Sequence, residues 1–370
     1  MKYKVPFIKP SFPSHREIAS DYKKITDANW YTNFGPYEQR FRKEIVEYLE
    51  LPVDVCTVAN ATLGLEIAVR SLFVKTRHTR EVITPSFTFA SGPGVLVGQG
   101  FSPIFIDIND KWQPSIEQAR TVLEDRSSQI AGILLCNTFG VGNTEIEKWE
   151  GLAKKYKKPL IIDSAAGFGS RYSKDEMIGG RGCCEVFSLH ATKPFGVGEG
   201  GLIVSRDKDF IERCRQMTNF GFDDSRKAVW IGTNAKLQEI NCALGLRLLK
   251  TLALRIEKRQ QVLKDYKAVL APNGFIFQPN DELSTVPFVS VISLSEERAQ
   301  QTFSALQEAS IEAKKYYDPV HTHPVFRDYY EDAQTLDLTN FTVGRILSLP
   351  LHDNMSKRVV DQITYVMLHN

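Results

Sequence analysis

Several things are missing from this 370-residue sequence. Its six cysteines (Cys56, Cys136, Cys183, Cys184, Cys214 and Cys242) never stand at CxxC spacing. That argues against a disulfide scaffold and a zinc site, since adjacent Cys183 and Cys184 with His190 rarely ligate one metal. Buried free thiols in a reducing cytoplasm are the expectation, and no metal is expected. Neither sign of charge is in excess: 46 Lys and Arg face 44 Asp and Glu, a net +2. A nucleic acid or an anionic membrane is therefore not the expected partner. There is no internal repeat and no low-complexity segment. The one long uncharged stretch, 84–106, is broken by Pro85, Pro93, Pro103 and four glycines, so it reads as a buried helix with turns and not as a membrane span. The basic start Met1-Lys2-Tyr3-Lys4 has no apolar segment behind it, and no signal peptide is expected.

What remains is a chain long enough for a large domain, 1–250, and a smaller one, 251–370. In the first part, short apolar runs alternate with amphipathic stretches. Strands are expected at 53–58, 81–84, 104–108, 130–136 and 159–163, with helices at 14–25, 37–49, 115–124, 145–157 and 207–217. This pattern predicts an α/β architecture: a mainly parallel sheet covered on both faces, with ligands beyond the carboxyl ends of its strands. A helix is predicted from Ala235 to Leu254, continuing to about residue 268. Strands 288–294 and 346–349 with helices 295–309 and 355–368 predict a smaller α+β unit.

Three strand ends carry chemistry. After 53–58 comes Asn60-Ala61-Thr62 at a helix start, a ready anion site through free N–H groups and the helix dipole. Thr62 can cap that helix or bind a phosphate oxygen, capping being the simpler reading. Asp163 closes Leu160-Ile161-Ile162 and could cap a helix, hold a metal or keep a ring nitrogen protonated; it stands thirty residues before Lys193. Between apolar runs lies Ser188-Leu189-His190-Ala191-Thr192-Lys193, followed by Gly198-Glu199-Gly200-Gly201. A lysine held near buried strands can have a lowered pKa and form a Schiff base with a carbonyl. The glycines at 196, 198 and 200 do not have GxGxxG spacing, which excludes a dinucleotide fingerprint.

Together these residues resemble the DegT/DnrJ/StrS family of pyridoxal-phosphate (PLP) sugar aminotransferases. The resemblance runs almost end to end, through Phe34-Gly35-Pro36, Asn60-Ala61-Thr62, Pro85-Ser86-Phe87-Thr88-Phe89, the Lys193 signature, Asn234-Ala235-Lys236-Leu237-Gln238-Glu239, Tyr317-Asp318-Pro319-Val320-His321 and Leu349-Pro350-Leu351. It implies the type I aminotransferase fold and PLP cycling through pyridoxamine phosphate. Lys193 would hold PLP and shuttle the proton, and Asp163 would pair with the ring nitrogen. Phe89 would stack on the ring, while Ala61, Thr62 and Ser188 would hold the phosphate. Asn234 would reach that phosphate from the neighbouring subunit of a homodimer.

The implied reaction moves an amino group from L-glutamate to a nucleotide-linked keto sugar. The expected substrate is dTDP-4-keto-6-deoxyglucose, aminated at C4 for surface polysaccharide (O-antigen), with C3 of a 3-keto isomer as the alternative. Trp30, Tyr31, Phe34, Arg226, Tyr317, His321 and His323 are the expected substrate contacts. A non-catalytic PLP-binding regulator would have lost Lys193 or Asp163, and a sugar dehydratase of this kind would carry histidine for Lys193. Two positions depart from the family pattern. Asp163-Ser164-Ala165-Ala166 lacks the Gln or His that approaches the PLP phenolic oxygen, a task that would pass to another group such as Asn137. Ala61 stands for a glycine.

Overall fold

The computed structural model describes residues 3–330 and 335–369; Met1 and Lys2 of the basic start lie outside them. Its main sheet has seven strands in the order β1-β9-β8-β5-β4-β2-β3. They are β1 (Asp54–Val58), β2 (Glu81–Pro85), β3 (Ser102–Ile106), β4 (Ile130–Cys136), β5 (Leu160–Asp163), β8 (Cys184–Ser188) and β9 (Gly201–Ser205), with a small hairpin β6 (Arg171–Ser173) and β7 (Glu176–Met177) between β5 and β8. From β3 to β8 the neighbours are parallel. Strand β9 alone runs against the rest, antiparallel to both β8 and β1.

The pleat sorts the apolar runs onto two faces. Ile161, Val186 and Ile203 face one way, under α3 (Ala61–Leu72), α4 (Ser91–Gly98) and α7 (Lys208–Thr218). Leu160, Ile162 and Ile133 face the other, under α5 (Ile116–Arg126) and α6 (Ile146–Tyr156), whose Trp149 is fully buried. At the β1–β9 end that second face is covered by α2 (Pro36–Leu49) and α8 (Glu239–Leu249). Helix α1 (His15–Asp27) lies outside, entered through a Ser14–Glu17 capping box.

A second core gathers α9 (Leu252–Leu270), α10 (Glu296–Glu308) and α12 (Lys357–Leu368) on an antiparallel sheet of β10 (Ile276–Phe277), β11 (Val289–Ile292) and β12 (Ile346–Leu349), with α11 (Asp337–Arg345) leading into β12. Val5 belongs to this second core and bridges Ile311 in parallel.

The continuous helix expected from residue 235 is not formed. Residues 234 and 235 are extended: Ala235 N–H donates to Thr218 O, and Ala59 N–H donates to Ala235 O. The helix starts only at Glu239 and breaks again at Thr251, whose hydroxyl turns back to Leu248 O. The cause is visible at Glu239. Its carboxylate, 1% exposed, accepts Tyr37 N–H at 2.8 Å and Glu38 N–H at 3.0 Å. It thereby caps α2, whose own N-cap Gly35 offers no side chain. Its backbone N–H donates to Tyr31 O. One residue thus ties the aromatic loop 30–34 to the start of α8. Glu239→Ala should lower stability by about 2 kcal/mol, because two buried N–H groups lose their acceptor; urea unfolding curves unchanged from wild type would refute this capping role.

Candidate active site

A cavity of about 780 Å³ opens where β1, β4, β5 and β8 end. Its wall includes Ala61, Thr62, Phe89, Asp163, Ser188, Lys193 and Tyr317, residues far apart in the chain. The helix-start side is built first by Asn60. Its Oδ1 accepts Leu63 N–H at 2.9 Å, so Asn60 caps α3 and Thr62 does not. Thr62 is left as an exposed hydroxyl on the cavity wall, beside the open N–H groups of the first turn. Ala61 opens α3 as an ordinary helical residue, so the missing glycine costs nothing there. The close approach falls instead on Gly201, where a Cβ would meet Ala61 N and Asn60 C at 2.8 Å.

The lysine sits in a reversal between β8 and β9. Leu189 N–H donates to Gly200 O, Ala191 N–H to Gly198 O and Val197 N–H to Leu189 O, extending the antiparallel ladder past Ser188. Gly198 takes φ +100° in that reversal. Lys193 N–H then closes a turn onto His190 O. His190 Nδ1 accepts Thr192 N–H at 3.2 Å and pairs with the Thr192 hydroxyl at 2.7 Å, which fixes its ring. Burial depresses the pKa of Lys193, against the opposing pull of Asp163 and Cys136, a shift in the direction that a nucleophilic amine needs. Asp163 is pushed the other way by burial, opposed by Ala165 N–H and by Lys193. Its Oδ1 accepts that N–H at 3.0 Å.

Phe89 is 60% exposed, unusual for a phenylalanine at the mouth of a core, and leans on Tyr317 with ring centroids 6.0 Å apart. A planar aromatic ligand would cover that free face. The residues present therefore fit PLP: an amine for its aldehyde, a carboxylate for its ring nitrogen, a helix start for its phosphate and an open ring for its face.

Other expected contacts lie outside this cavity. Asn234 is exposed and pairs through its backbone with Asn219. Arg226 is exposed at the tip of a hairpin held by Asp223, whose carboxylate accepts Ser225 and Lys227 N–H. Trp30 and Tyr31 are exposed, and half-buried Phe34 lies under the Arg215 guanidinium. His321 is buried with Nδ1 2.7 Å from Ser86 Oγ and its ring against Tyr330. His323 packs toward Phe326.

Asn137 lines the cavity, yet its amide is fully committed. Its Nδ2 donates to Ser164 Oγ at 2.9 Å and Tyr172 OH at 3.0 Å, and its Oδ1 accepts Asn143 N–H. It therefore cannot stand in for the missing Gln or His. Sequence reasoning passed over what lies behind it. Glu185, fully buried in β8, accepts Ser164 Oγ at 2.6 Å, Tyr172 OH, and the N–H groups of Gly179 and Arg181. A lone acid inside the apolar run 184–188 was the available signal. It also missed Cys136, Tyr316 and Ile8 on the cavity wall; nothing in the sequence near Ile8 marks it.

Burial raises the Glu185 carboxyl from 4.5 to about 7. Between those two pH values the native state binds more protons than the unfolded chain. The stability this group contributes is thus complete below pH 4.5 and falls as pH rises to 7, by about 3 kcal/mol. Glu185→Gln should flatten the stability–pH curve of the protein between pH 5 and 8, and parallel curves for the two proteins would count against it.

The comparisons agree with this geometry. Residues 14–367 match the DegT/DnrJ/EryC1/StrS aminotransferase family. Protein Rv3402c of Mycobacterium tuberculosis is 44% identical over 95% of this chain and 87% of its own. A Bacillus cereus structure assigned as a PLP-dependent aminotransferase is 33% identical, with TM-score 0.92 over 98% of this chain and 99% of that one. The dTDP-4-amino-4,6-dideoxy-D-glucose transaminase of Shigella dysenteriae is 29% identical over 96% of this chain and 95% of its own; other relatives at 26–27% are named for GDP- and UDP-linked sugars. A family match across nearly the whole chain, on a cavity built for PLP, settles the class. The chain belongs to the DegT/DnrJ/EryC1/StrS aminotransferase family, and by that membership is a PLP-dependent sugar aminotransferase.

Proposed function

We propose that the enzyme transfers the amino group of L-glutamate to C4 of dTDP-4-keto-6-deoxyglucose, in the cytoplasm, for a surface polysaccharide. The observation that carries the chemistry is the meeting of Lys193 and Asp163 on one cavity with the start of α3. The resemblance to the Shigella dTDP-4-amino-4,6-dideoxy-D-glucose transaminase supports the sugar and the nucleotide. Amination at C3 of the 3-keto isomer is the second reading, and GDP- or UDP-linked sugars are the alternative nucleotides.

Bound PLP supplies an electron sink for the carbon that loses its proton. Asp163, with Oδ1 spent on Ala165 N–H, offers its other oxygen to hold the proton of the ring nitrogen. Lys193 Nζ, its pKa lowered by burial, would take the proton from the donor carbon and later return one to the sugar carbon. Thr62, Ser188 and the first N–H groups of α3 would hold the phosphate, and Phe89 and Tyr317 would confine the ring. Donor and sugar use the same cavity in turn.

The same reading makes the enzyme a homodimer. Trp30, Tyr31, Phe220, Trp230 and Ile231 are exposed, from 44 to 79%, on the two loops flanking Asn234, an apolar surface suited to a second copy. Asn234 and Arg226 would enter the partner's cavity, the first at the phosphate and the second at the diphosphate. Residues 1–250 would form the cofactor-binding unit and 251–370 the smaller one.

Product analysis with PLP, L-glutamate and each keto sugar tests the substrate: nitrogen at C4 is expected, and nitrogen at C3 moves the reading to its alternative. Lys193→Ala should abolish turnover and the near-visible absorbance of the bound cofactor; retained turnover would sink the mechanism. Asn234→Ala should weaken PLP binding about tenfold, and an unchanged Kd by cofactor titration would remove the cross-subunit contact.

A further inference from the structure

Two buried polar atoms beside Lys193 have no partner: Arg255 Nη1 and His352 Nδ1. Such atoms are rare enough to call for a cause. Both residues line one void of about 10 Å³, together with Lys9, Arg259, Asp353 and Lys193. That is room for a single oxygen-sized group. The void shares Ile8, Thr192 and Lys193 with the large cavity, so it adjoins that cavity at the lysine as an alcove beside it.

Its charge is unbalanced. Lys9, Arg255 and Arg259 face one carboxylate, Asp353, which is already divided between Arg255 Nε at 2.6 Å and Arg259 Nη1 at 2.7 Å. Arg259 is further occupied by the carbonyls of Thr285, Val286 and Pro287. Arg255 therefore holds the open donor. The large cavity itself offers no cationic side chain but Lys193 and His190 among its described lining residues, and His190 Nδ1 is engaged by Thr192. An amino acid that presents its nitrogen to Lys193 brings a carboxylate two bonds away, and the alcove is where positive charge awaits it.

We propose that this alcove is the subsite for the α-carboxylate of the amino donor, one carboxylate oxygen entering to accept Arg255 Nη1–H beside the His352 ring. The proposal rests on the aminotransferase reading with an amino-acid donor. Lys9 and Arg259 set the potential around the oxygen, while Asp353 holds both arginines in place as a positioning residue.

The test uses the PLP-loaded enzyme and reads cofactor absorbance in stopped flow. Arg255→Gln should cut kcat/KM for the L-glutamate half-reaction at least tenfold, chiefly through KM. Its spectral reaction with n-propylamine, an amine without a carboxylate, should stay within threefold of wild type. Equal losses with both amines would mean a merely structural residue, and no loss with glutamate would mean an idle one; either overturns the proposal. If wild type takes no amino group from any α-amino acid, the functional reading fails first and separately. Should Arg255→Gln not fold, wild-type holoenzyme crystals soaked in maleate decide: a carboxylate oxygen in the alcove supports the subsite, and water there with maleate elsewhere refutes it.

Discussion

The site depends on one contact without side chains. Gly201, the first residue of β9, lies so close to the backbone of Asn60 and Ala61 that a Cβ would stand 2.8 Å from it. That approach lets an antiparallel strand enter a sheet whose other strands from β3 to β8 run parallel. The reversal it permits holds Lys193 beyond Ser188 and turns the lysine toward the start of α3. The anion-binding end and the covalent end of one cavity are thus fixed relative to each other by main chain, which is stiffer than any side-chain bridge.

Around that contact the titratable groups are sorted by burial. Lys193 is driven toward its neutral form, while Asp163 and Glu185 are driven toward theirs. Of these three, Asp163 and Lys193 line the cavity and Glu185 does not. Glu185 sits within β8, three residues before Ser188, where its four acceptor contacts bind β8, the loop after β5 and the hairpin region into one unit. Ser164 is the link between this unit and Asn137. Asn137, the group expected from the sequence to approach the PLP phenolic oxygen, is consumed in supporting the wall.

Much of this was legible in the sequence, and for identifiable reasons. Alternating apolar runs and helical periodicity located every long strand and helix of the sheet, because burial on both faces leaves a continuous apolar signature. Lys193, Asp163, Ser188 and Thr62 could be singled out because each stands at a strand end or helix start, and all four line the one cavity. The direction of β9 was not legible: an apolar run reads the same in both directions. Nor was the delayed start of α8, since Ala235 to Leu254 has helical periodicity and only Glu239's attachment to α2 tells where the helix begins. Asn60 took the capping role expected of Thr62 because either residue satisfies the same local rule. Residues that meet across long sequence distances, such as Arg255 and Lys9 at the alcove, leave no local trace.

The parallel bridge between Val5 and Ile311 bears on how the molecule is made. Val5 packs among residues near the other end of the chain, and Ile8, three residues on, forms part of the cavity wall. Val5 therefore leaves the ribosome long before its partner and must wait for it. During synthesis the seven-stranded sheet can assemble while its amino-terminal arm is still unplaced. A chain released before Ile311 emerges would own the lysine, the aspartate and the helix start, yet its arm would have no Ile311 to bridge and could not close the cavity beside them.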